Sequence, residues 1–114
     1  MNSTNFSRRR ATMVEEWRSW TPRIANAVKS LLTDARVYVF GSVVRGDHTG
    51  GSDVDILIVS GSIPEGLTER ARVRSRIEEE ADLPTLHPFE IHLATREEAK
   101  TYFRKAGEDM IQLR

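Results

Sequence analysis

Three acidic residues and a glycine-serine turn carry the chemistry that this sequence can be expected to perform. Asp53 and Asp55 lie two residues apart at the start of an apolar run, so on a β-strand their carboxylates share one face. Two negative groups held this close repel each other unless a cation lies between them. Mg²⁺ and Mn²⁺ bind such oxygen ligands together with water and substrate phosphates. Alternatively, both aspartates only cap the strand and stay solvated.

Glu90 is the third acidic residue, and it lies within the otherwise apolar run Phe89–Ala94. A carboxylate in such a strand must be paired, protonated or bound to metal. If this strand lies beside that of the aspartates, Glu90 joins Asp53 and Asp55 in a cluster of three carboxylates. Otherwise it lies on an exposed sheet face near an arginine. His92 shares the face of Glu90 and is either a neighbour of the site, as a partner of its ligands or an acceptor-site residue, or structural.

Gly41 and Ser42 follow directly after a predicted strand. Because the glycine has no side chain, backbone N–H groups and the serine hydroxyl can face outward and hold a phosphate. A Gly-Ser pair at a strand end is also an ordinary turn. Arg45 lies three residues beyond Ser42, where it either contacts phosphate or forms an ion pair with Asp47 or Asp53.

Three short runs predict the strands that position these residues. Residues 36–40 are rich in β-branched and aromatic side chains and end at Gly41. Residues 53–60 become nearly continuous in Val, Ile and Leu, which is typical of a strand covered on both faces. Residues 89–94 alternate, which predicts a strand with Glu90 and His92 on one side.

Four helices are predicted around these strands. Thr12 and Glu15 have the spacing of a capping box and open the first, and Thr21-Pro22 interrupts it so that a second helix begins there. A third helix covers 67–82, with an inward face of Leu67, Ala71, Ile77 and Ala81. A fourth begins with the capping-box pair Thr95 and Glu98 and is closed by Gly107.

Arginines form two groups outside these motifs. The first is Arg8–Arg10, and the second lies on the third helix at positions 70, 72, 74 and 76. The ordinary interpretation of the first group is a mobile tail. That of the second group is a solvated helix face with ion pairs such as Arg74 with Glu78. The alternative is contact with nucleic acid, which salt would weaken.

Composition excludes several classes of protein. The chain has 114 residues, 39% hydrophobic and 30% charged, which suits one folded domain and neither a disordered nor a membrane-embedded chain. Seventeen basic and seventeen acidic residues cancel, so no overall charge attracts nucleic acid. The absence of cysteine excludes disulfide frameworks, thiolate zinc sites and cysteine nucleophiles. We expect a cytoplasmic protein of one domain over 1–114, with residues 1–11 as a flexible tail.

A known signature brings the separate motifs together. Gly41-Ser42-x-x-Arg45-Gly46, then five residues, then Ser52-Asp53-x-Asp55 and an apolar run, resembles the signature of the DNA polymerase β-like nucleotidyltransferase superfamily. The small size is most similar to its minimal nucleotidyltransferase (MNT) members, and the resemblance covers about residues 22–105. It implies an α/β (α+β) fold, a small mixed sheet of at least three strands flanked by helices.

The resemblance also assigns roles to residues. Gly41 and Ser42 would hold the triphosphate, with Arg45 and Ser52 as further substrate-binding residues. Three carboxylates would form the catalytic and metal-binding set for Mg²⁺ or Mn²⁺, namely Asp53, Asp55 and Glu90. Minimal members commonly have aspartate at the third position, so the longer Glu90 implies a shifted metal geometry or a role as general base.

The implied reaction is metal-dependent transfer of a nucleoside monophosphate, AMP from ATP, to a hydroxyl acceptor. Minimal members often pair with small helical HEPN proteins in toxin–antitoxin modules, so a HEPN-type partner or a homodimer is expected to complete the acceptor site. The alternative implied by the same resemblance is a non-catalytic antitoxin-type binding module that neutralises its partner. We expect no membrane and no nucleic-acid partner.

Overall fold

Nine helices and strands make up residues 3–114, the part that the computed structural model describes, with side chains from Asn5 onward. In chain order they are α1 Ser3–Glu15, α2 Trp17–Leu31, β1 Arg36–Phe40, α3 Ser42–Arg45, β2 Val54–Val59, α4 Leu67–Glu80, β3 Phe89–Ala94, α5 Arg96–Ala106 and β4 Met110–Gln112. Over this described range, no helix combines the length and the apolar character that a membrane crossing requires.

The four strands form one mixed sheet in the order β3-β2-β1-β4. β1 pairs antiparallel with both β2 and β4, whereas β2 and β3 are parallel and are joined through α4. The predicted class, a small mixed sheet flanked by helices, is therefore confirmed. β2 lies in the interior of the sheet, and Ile56, Leu57 and Ile58 are fully buried, as its continuous apolar run predicts.

Helices cover the two faces of the sheet unequally. One face carries Val37, Val39, Ile56 and Ile58, which pack with α1, α2 and α4 in the larger apolar cluster. The opposite face carries a smaller cluster, in which α5 covers part of the sheet: Leu57, Val59, Ala94 and Ala99, with Tyr38, Phe40, Tyr102 and Met110 beside them. The polar residues Asp55, Glu90 and His92 on this second face remain partly or fully exposed at one end of the sheet.

The N-terminal segment differs from its prediction. Helix α1 begins at Ser3 rather than at Thr12, so residues 3–11, predicted as a flexible tail, are helical, and residues 1–2 lie outside the described part. The Thr12 hydroxyl donates to the carbonyl oxygen of Arg8 at 3.0 Å and caps nothing. Met13 and Val14 are buried, so tertiary packing holds a helix that local signals did not reveal.

The break between the first two helices lies at Glu16 and not at Thr21-Pro22 as predicted. Pro22 lies inside α2, where it cannot donate the hydrogen bond to the carbonyl four residues earlier. Trp17 and Thr21 are buried, and their packing holds the first turns of α2 despite this loss.

Two further differences concern exposure and length. Leu67, predicted to face inward, is 83% exposed, and Ala71 is exposed as well, whereas Ile77 and Ala81 are buried as predicted. Val73 packs against the core on the inward face of α4, and Arg70 and Arg74 are half-buried. Strand β4 was not predicted because three residues at a sheet edge give too short a pattern.

The capping box at the start of α5 is confirmed. It stabilises the helix that covers part of the second face, and this contribution to stability can be tested. Thr95 Oγ1 accepts from the Glu98 backbone N–H at 3.2 Å, and a Glu98 carboxylate oxygen accepts from the Thr95 N–H at 2.9 Å. We expect Thr95→Ala to lower the free energy of unfolding by about 1 kcal/mol, measured by urea denaturation. Thr101→Ala, in the exposed middle of α5, should leave it unchanged or slightly raised; equal losses would contradict the capping role.

Candidate active site

Strand pairing brings Asp55, Glu90 and His92 together on the second face. In the parallel register Asp55 is opposite Glu90 and Leu57 is opposite His92, so the three polar side chains point the same way. His92 Nε2 lies 3.2 Å from Asp55 Oδ1 and 3.9 Å from Glu90 Oε1. One ligand atom from each of the three residues lies within 4.8 Å of the others. We call these residues the Asp-Glu-His group.

Gly41 ends β1 beside this group and is required there for two reasons. Its φ of +88° and ψ of −148° lie in a region that side chains other than glycine's rarely adopt. A Cβ at this position would also lie 2.8 Å from Asp55 Oδ2. The missing side chain therefore lets the Asp55 carboxylate lie directly against the turn.

A cavity of about 430 Å³ opens beside Gly41 and Asp55. Ser42 and Arg45 line one side of it, and Tyr102 and Lys105 of α5 line the other. Among the hydrogen bonds and ion pairs of the described residues, none involves the Ser42 hydroxyl or the Lys105 ammonium. A free hydroxyl and a free ammonium group beside carboxylates suit a phosphate-bearing ligand.

Arg45 braces the turn through ion pairs. Its Nε donates to Asp47 at 3.1 Å, and its Nη1 lies 3.7 Å from a carboxylate oxygen of Asp109. The hydrogen bond and charge of Asp47 raise the pKa of Arg45 above its ordinary value. Of the alternatives left open by the sequence, the ion pair with Asp47 is the one that the structure contains, while the side chain still lines the cavity.

Asp53 and Ser52 lie in the loop before β2 and have partners of their own. Arg10 of α1 donates to Asp53 Oδ1 at 2.6 Å and to the Ser52 carbonyl oxygen at 3.0 Å. The Ser52 hydroxyl accepts from the Thr49 N–H at 2.9 Å and so shapes the loop. Asp53 therefore lies next to the Asp-Glu-His group but outside it, with an arginine as its cation.

Burial and charge repulsion both act on the Glu90 carboxyl. Partial burial raises the pKa of Glu90, and the negative charges of Asp55 and Asp53 raise it further, against the opposing effect of His92. A cation bound between Asp55 and Glu90 would relieve this repulsion. The donor set also fits a divalent cation, because the two carboxylates suit Mg²⁺ or Mn²⁺ and the imidazole is a further possible ligand.

Three residues near the site were not assigned to it from the sequence. Arg10 belongs to the Arg8–Arg10 triplet, whose role the sequence left open. Tyr102 and Lys105 follow the buried Ala99 of α5 at helical spacing, and this periodicity was the available signal. The Tyr102 hydroxyl lies 3.5 Å from His92 Nδ1, so α5 holds the imidazole from the side opposite Asp55.

Comparisons with known proteins identify the family and the fold of most of the chain. The profile of the nucleotidyltransferase domain matches residues 22–113, most of the chain. A crystal structure of a candidate nucleotidyltransferase from Sulfolobus solfataricus superposes with a TM-score of 0.58 and 22% identity, covering 96% of this chain and 83% of that one. At this identity the superposition shows a shared fold. No protein of curated function matches the chain significantly.

The close contact between Gly41 and Asp55 can be tested with Gly41→Ala. We expect a loss of about 2 kcal/mol or more in unfolding free energy and about tenfold weaker Mn²⁺ binding by titration calorimetry, since Asp55 must move. Gly46→Ala is the control, because Gly46 also has a positive φ of +84° but no atom within 4 Å of its added Cβ. It should cost about 1 kcal/mol and leave Mn²⁺ binding unchanged. Equal effects on Mn²⁺ binding would contradict the contact.

The raised pKa of Glu90 predicts a pH-dependent gain of stability in Glu90→Gln without metal. The folded state holds the Glu90 proton more tightly than the unfolded chain, whose carboxyl has the ordinary pKa of 4.5. As the pH rises above 4.5, ionisation of Glu90 therefore lowers the free energy of unfolding of the wild type. With EDTA present, the variant should melt at a higher temperature at pH 7, and the gain should vanish below pH 4.5.

Glu98→Gln is the control of opposite sign. The Thr95 N–H and the Arg70 guanidinium lower the pKa of Glu98, so its carboxylate stabilises the fold above pH 4.5 and loses this effect as the pH falls. This variant should melt at a lower temperature at pH 7. A Glu90→Gln variant that also melts lower would refute the repulsion.

Proposed function

The chain belongs to the nucleotidyltransferase domain family, and from that premise we propose that it transfers AMP from ATP to a hydroxyl acceptor with Mg²⁺ or Mn²⁺. The observation that carries the proposal is the placement of Asp55 and Glu90, opposite each other on parallel strands and beside the Gly41-Ser42 turn. A nucleoside triphosphate and a divalent cation can therefore meet at one end of the sheet.

The cavity beside the turn is the proposed place of the triphosphate. Ser42 offers a hydroxyl, Lys105 an ammonium group and the turn its backbone N–H groups. Arg45 keeps the turn rigid through Asp47 and adds positive charge to the cavity. This arrangement would place the α-phosphorus next to Asp55, whose carboxylate contacts the turn at Gly41.

Asp55 and Glu90, with His92 beside them, are the residues that would hold the divalent cation. The predicted ligand Asp53 can join them if its ion pair with Arg10 opens. A bound cation would offset phosphate charge and favour ionisation of the acceptor hydroxyl. His92 keeps Asp55 in place through its hydrogen bond, and Tyr102 in turn holds the imidazole.

In the proposed reaction, the acceptor oxygen bonds to the α-phosphorus and the bond from this phosphorus to pyrophosphate breaks. The hydroxyl proton passes to Glu90 or to water. Positioning of the two reactants supplies much of the rate, because holding them in line replaces a bimolecular encounter. The rigid sheet and the braced turn are suited to that task.

Three further proposals concern the group within the family, the cellular location and the partner. We propose membership of the minimal nucleotidyltransferase group, a cytoplasmic location, and a HEPN-type partner protein or a second copy of the chain as a further contributor to acceptor binding. The antitoxin-type binding module is the competing proposal. It requires no turnover, so variants without transfer would still bind and neutralise the partner.

The test of the function uses nucleoside triphosphates labelled at the α-phosphate, Mg²⁺ or Mn²⁺, and cell lysate as the source of acceptor. Asp55→Asn should reduce labelling of the acceptor by at least about a hundredfold, with an unchanged far-ultraviolet circular dichroism spectrum. Asp53→Asn should reduce it too if Asp53 joins the ligand set. Asp82→Asn is the matched control, since Asp82 is a 97% exposed carboxylate remote from the site.

Two outcomes would contradict the enzymatic function. One is a wild-type chain that labels no acceptor with any of the α-labelled nucleoside triphosphates. The other is undiminished labelling by Asp55→Asn. Retention of partner neutralisation in a transfer-deficient Asp55→Asn variant would favour the binding module.

A further inference from the structure

A second groove reaches the Asp-Glu-His group from the side opposite the proposed triphosphate cavity. It has a volume of about 520 Å³ and is bordered by Arg70 and Arg74 of α4 and by Glu90 of β3. His92 and Tyr102 line both this groove and the first cavity. The two spaces therefore meet at His92 and Tyr102, with Asp55 lining the first and Glu90 lining the second.

The two arginines in the groove have different surroundings. Arg70 donates to the carbonyl oxygens of Pro64 at 2.6 Å and Leu93 at 3.2 Å, and it pairs with both carboxylate oxygens of Glu98. It is therefore occupied in holding α4 to β3 and α5. Its four hydrogen bonds leave it little capacity for a ligand.

Arg74 is half-buried and has no hydrogen-bond or ion-pair partner anywhere in the described range 3–114. The partner predicted from helical spacing, Glu78, lies 2.6 Å from His87 Nε2 instead. A partly desolvated guanidinium with free donors is suited to a bidentate bond with phosphate or carboxylate.

The charge around the groove restricts the ligand further. Arg72 and Arg76 are exposed and do not line the groove, so Arg74 is the one arginine of α4 that lines it without a partner. A polyanion would need several such cations along its path. The groove therefore fits a ligand with a single anionic group.

We propose that this groove binds the acceptor, and that the acceptor carries one phosphate or carboxylate group, which Arg74 holds while the hydroxyl lies beside Glu90. This inference rests on the proposed function. In the transfer step the hydroxyl oxygen bonds to the α-phosphorus, the bond to pyrophosphate breaks and the hydroxyl proton passes to Glu90 or to water. The anionic group remains bound to Arg74 and orients the hydroxyl.

The test measures binding directly, with two probes that share this chemistry and differ in source. One is glycerol 3-phosphate, a small hydroxyl compound, and the other is acetyl-Tyr-Asp-amide, a protein-like segment with one hydroxyl and one carboxylate. Each is titrated into the ¹⁵N-labelled chain, and the amide shifts of α4 and β3 are followed by nuclear magnetic resonance. Binding of one probe in the wild type identifies the source of the acceptor.

Arg74→Gln should weaken that binding by roughly tenfold or more, because a charge-assisted hydrogen-bonded pair is lost. Arg74→Lys keeps the positive charge but lacks the two parallel N–H donors of the guanidinium, so its affinity for the probe should be intermediate. Arg72→Gln, an exposed arginine on the same helix, is the matched control and should stay within about twofold of wild type. The amide spectra also show directly that each variant is folded.

The proposal is overturned if neither probe binds the wild type at millimolar concentration, or if Arg74→Gln binds as well as wild type. It is also overturned if a single-stranded RNA binds and Arg72→Gln weakens it as much as Arg74→Gln does. The titration requires no turnover, so a wild type that transfers nothing but binds a probe through Arg74 would refute the proposed function alone. A non-hydrolysable ATP analogue should bind Arg74→Gln and wild type equally.

Discussion

The parallel pairing of β2 with β3 in one register is the constraint on which the site depends. It puts Asp55 directly opposite Glu90, and two carboxylates on neighbouring strands repel each other. A shift of one residue would turn Glu90 to the opposite face and remove both the repulsion and the site. The parallel direction in turn requires a crossover, and α4 supplies it over the face that is already buried. Helix α4, the strand order and the acidic pair are thus consequences of a single arrangement.

Neighbouring residues compensate or accommodate the negative charges of Asp53, Asp55 and Glu90 in different ways. The His92 Nε2–H donates a hydrogen bond to the Asp55 carboxylate, and Arg10 neutralises the neighbouring Asp53 from a helix more than forty residues earlier in the chain. Gly41 leaves room for the Asp55 carboxylate against the turn. Tyr102 contacts His92 from α5, and these two side chains lie between the cavity at the turn and the groove under α4. The division of the site into two spaces follows from these few contacts.

Much of the fold could be predicted because its signals are local. The runs that form β1, β2 and β3, the capping box of α5 and the closing Gly107 each depend on residues within a few positions of one another. The misjudged elements depend on distant packing. Pro22 is tolerated inside α2 beside buried Trp17, and α1 forms without a cap because Met13 and Val14 reach the core. On α4, Leu67 is exposed while Arg70 and Arg74 are half-buried, an arrangement that apolar periodicity cannot indicate.

The sequence by itself determined the acidic residues, the glycine-serine turn and the strands that carry them, because spacing along a strand decides which side chains share a face. Only the tertiary structure decided which partners these side chains have. In the folded chain His92 lies with Asp55 and Glu90, and Asp53 pairs with Arg10. Because His87 lies against Glu78, Arg74 has no partner among the described residues. Ion pairs and hydrogen bonds are chosen by proximity in space, and proximity between residues so far apart in the chain exists only after the sheet and its helices have assembled.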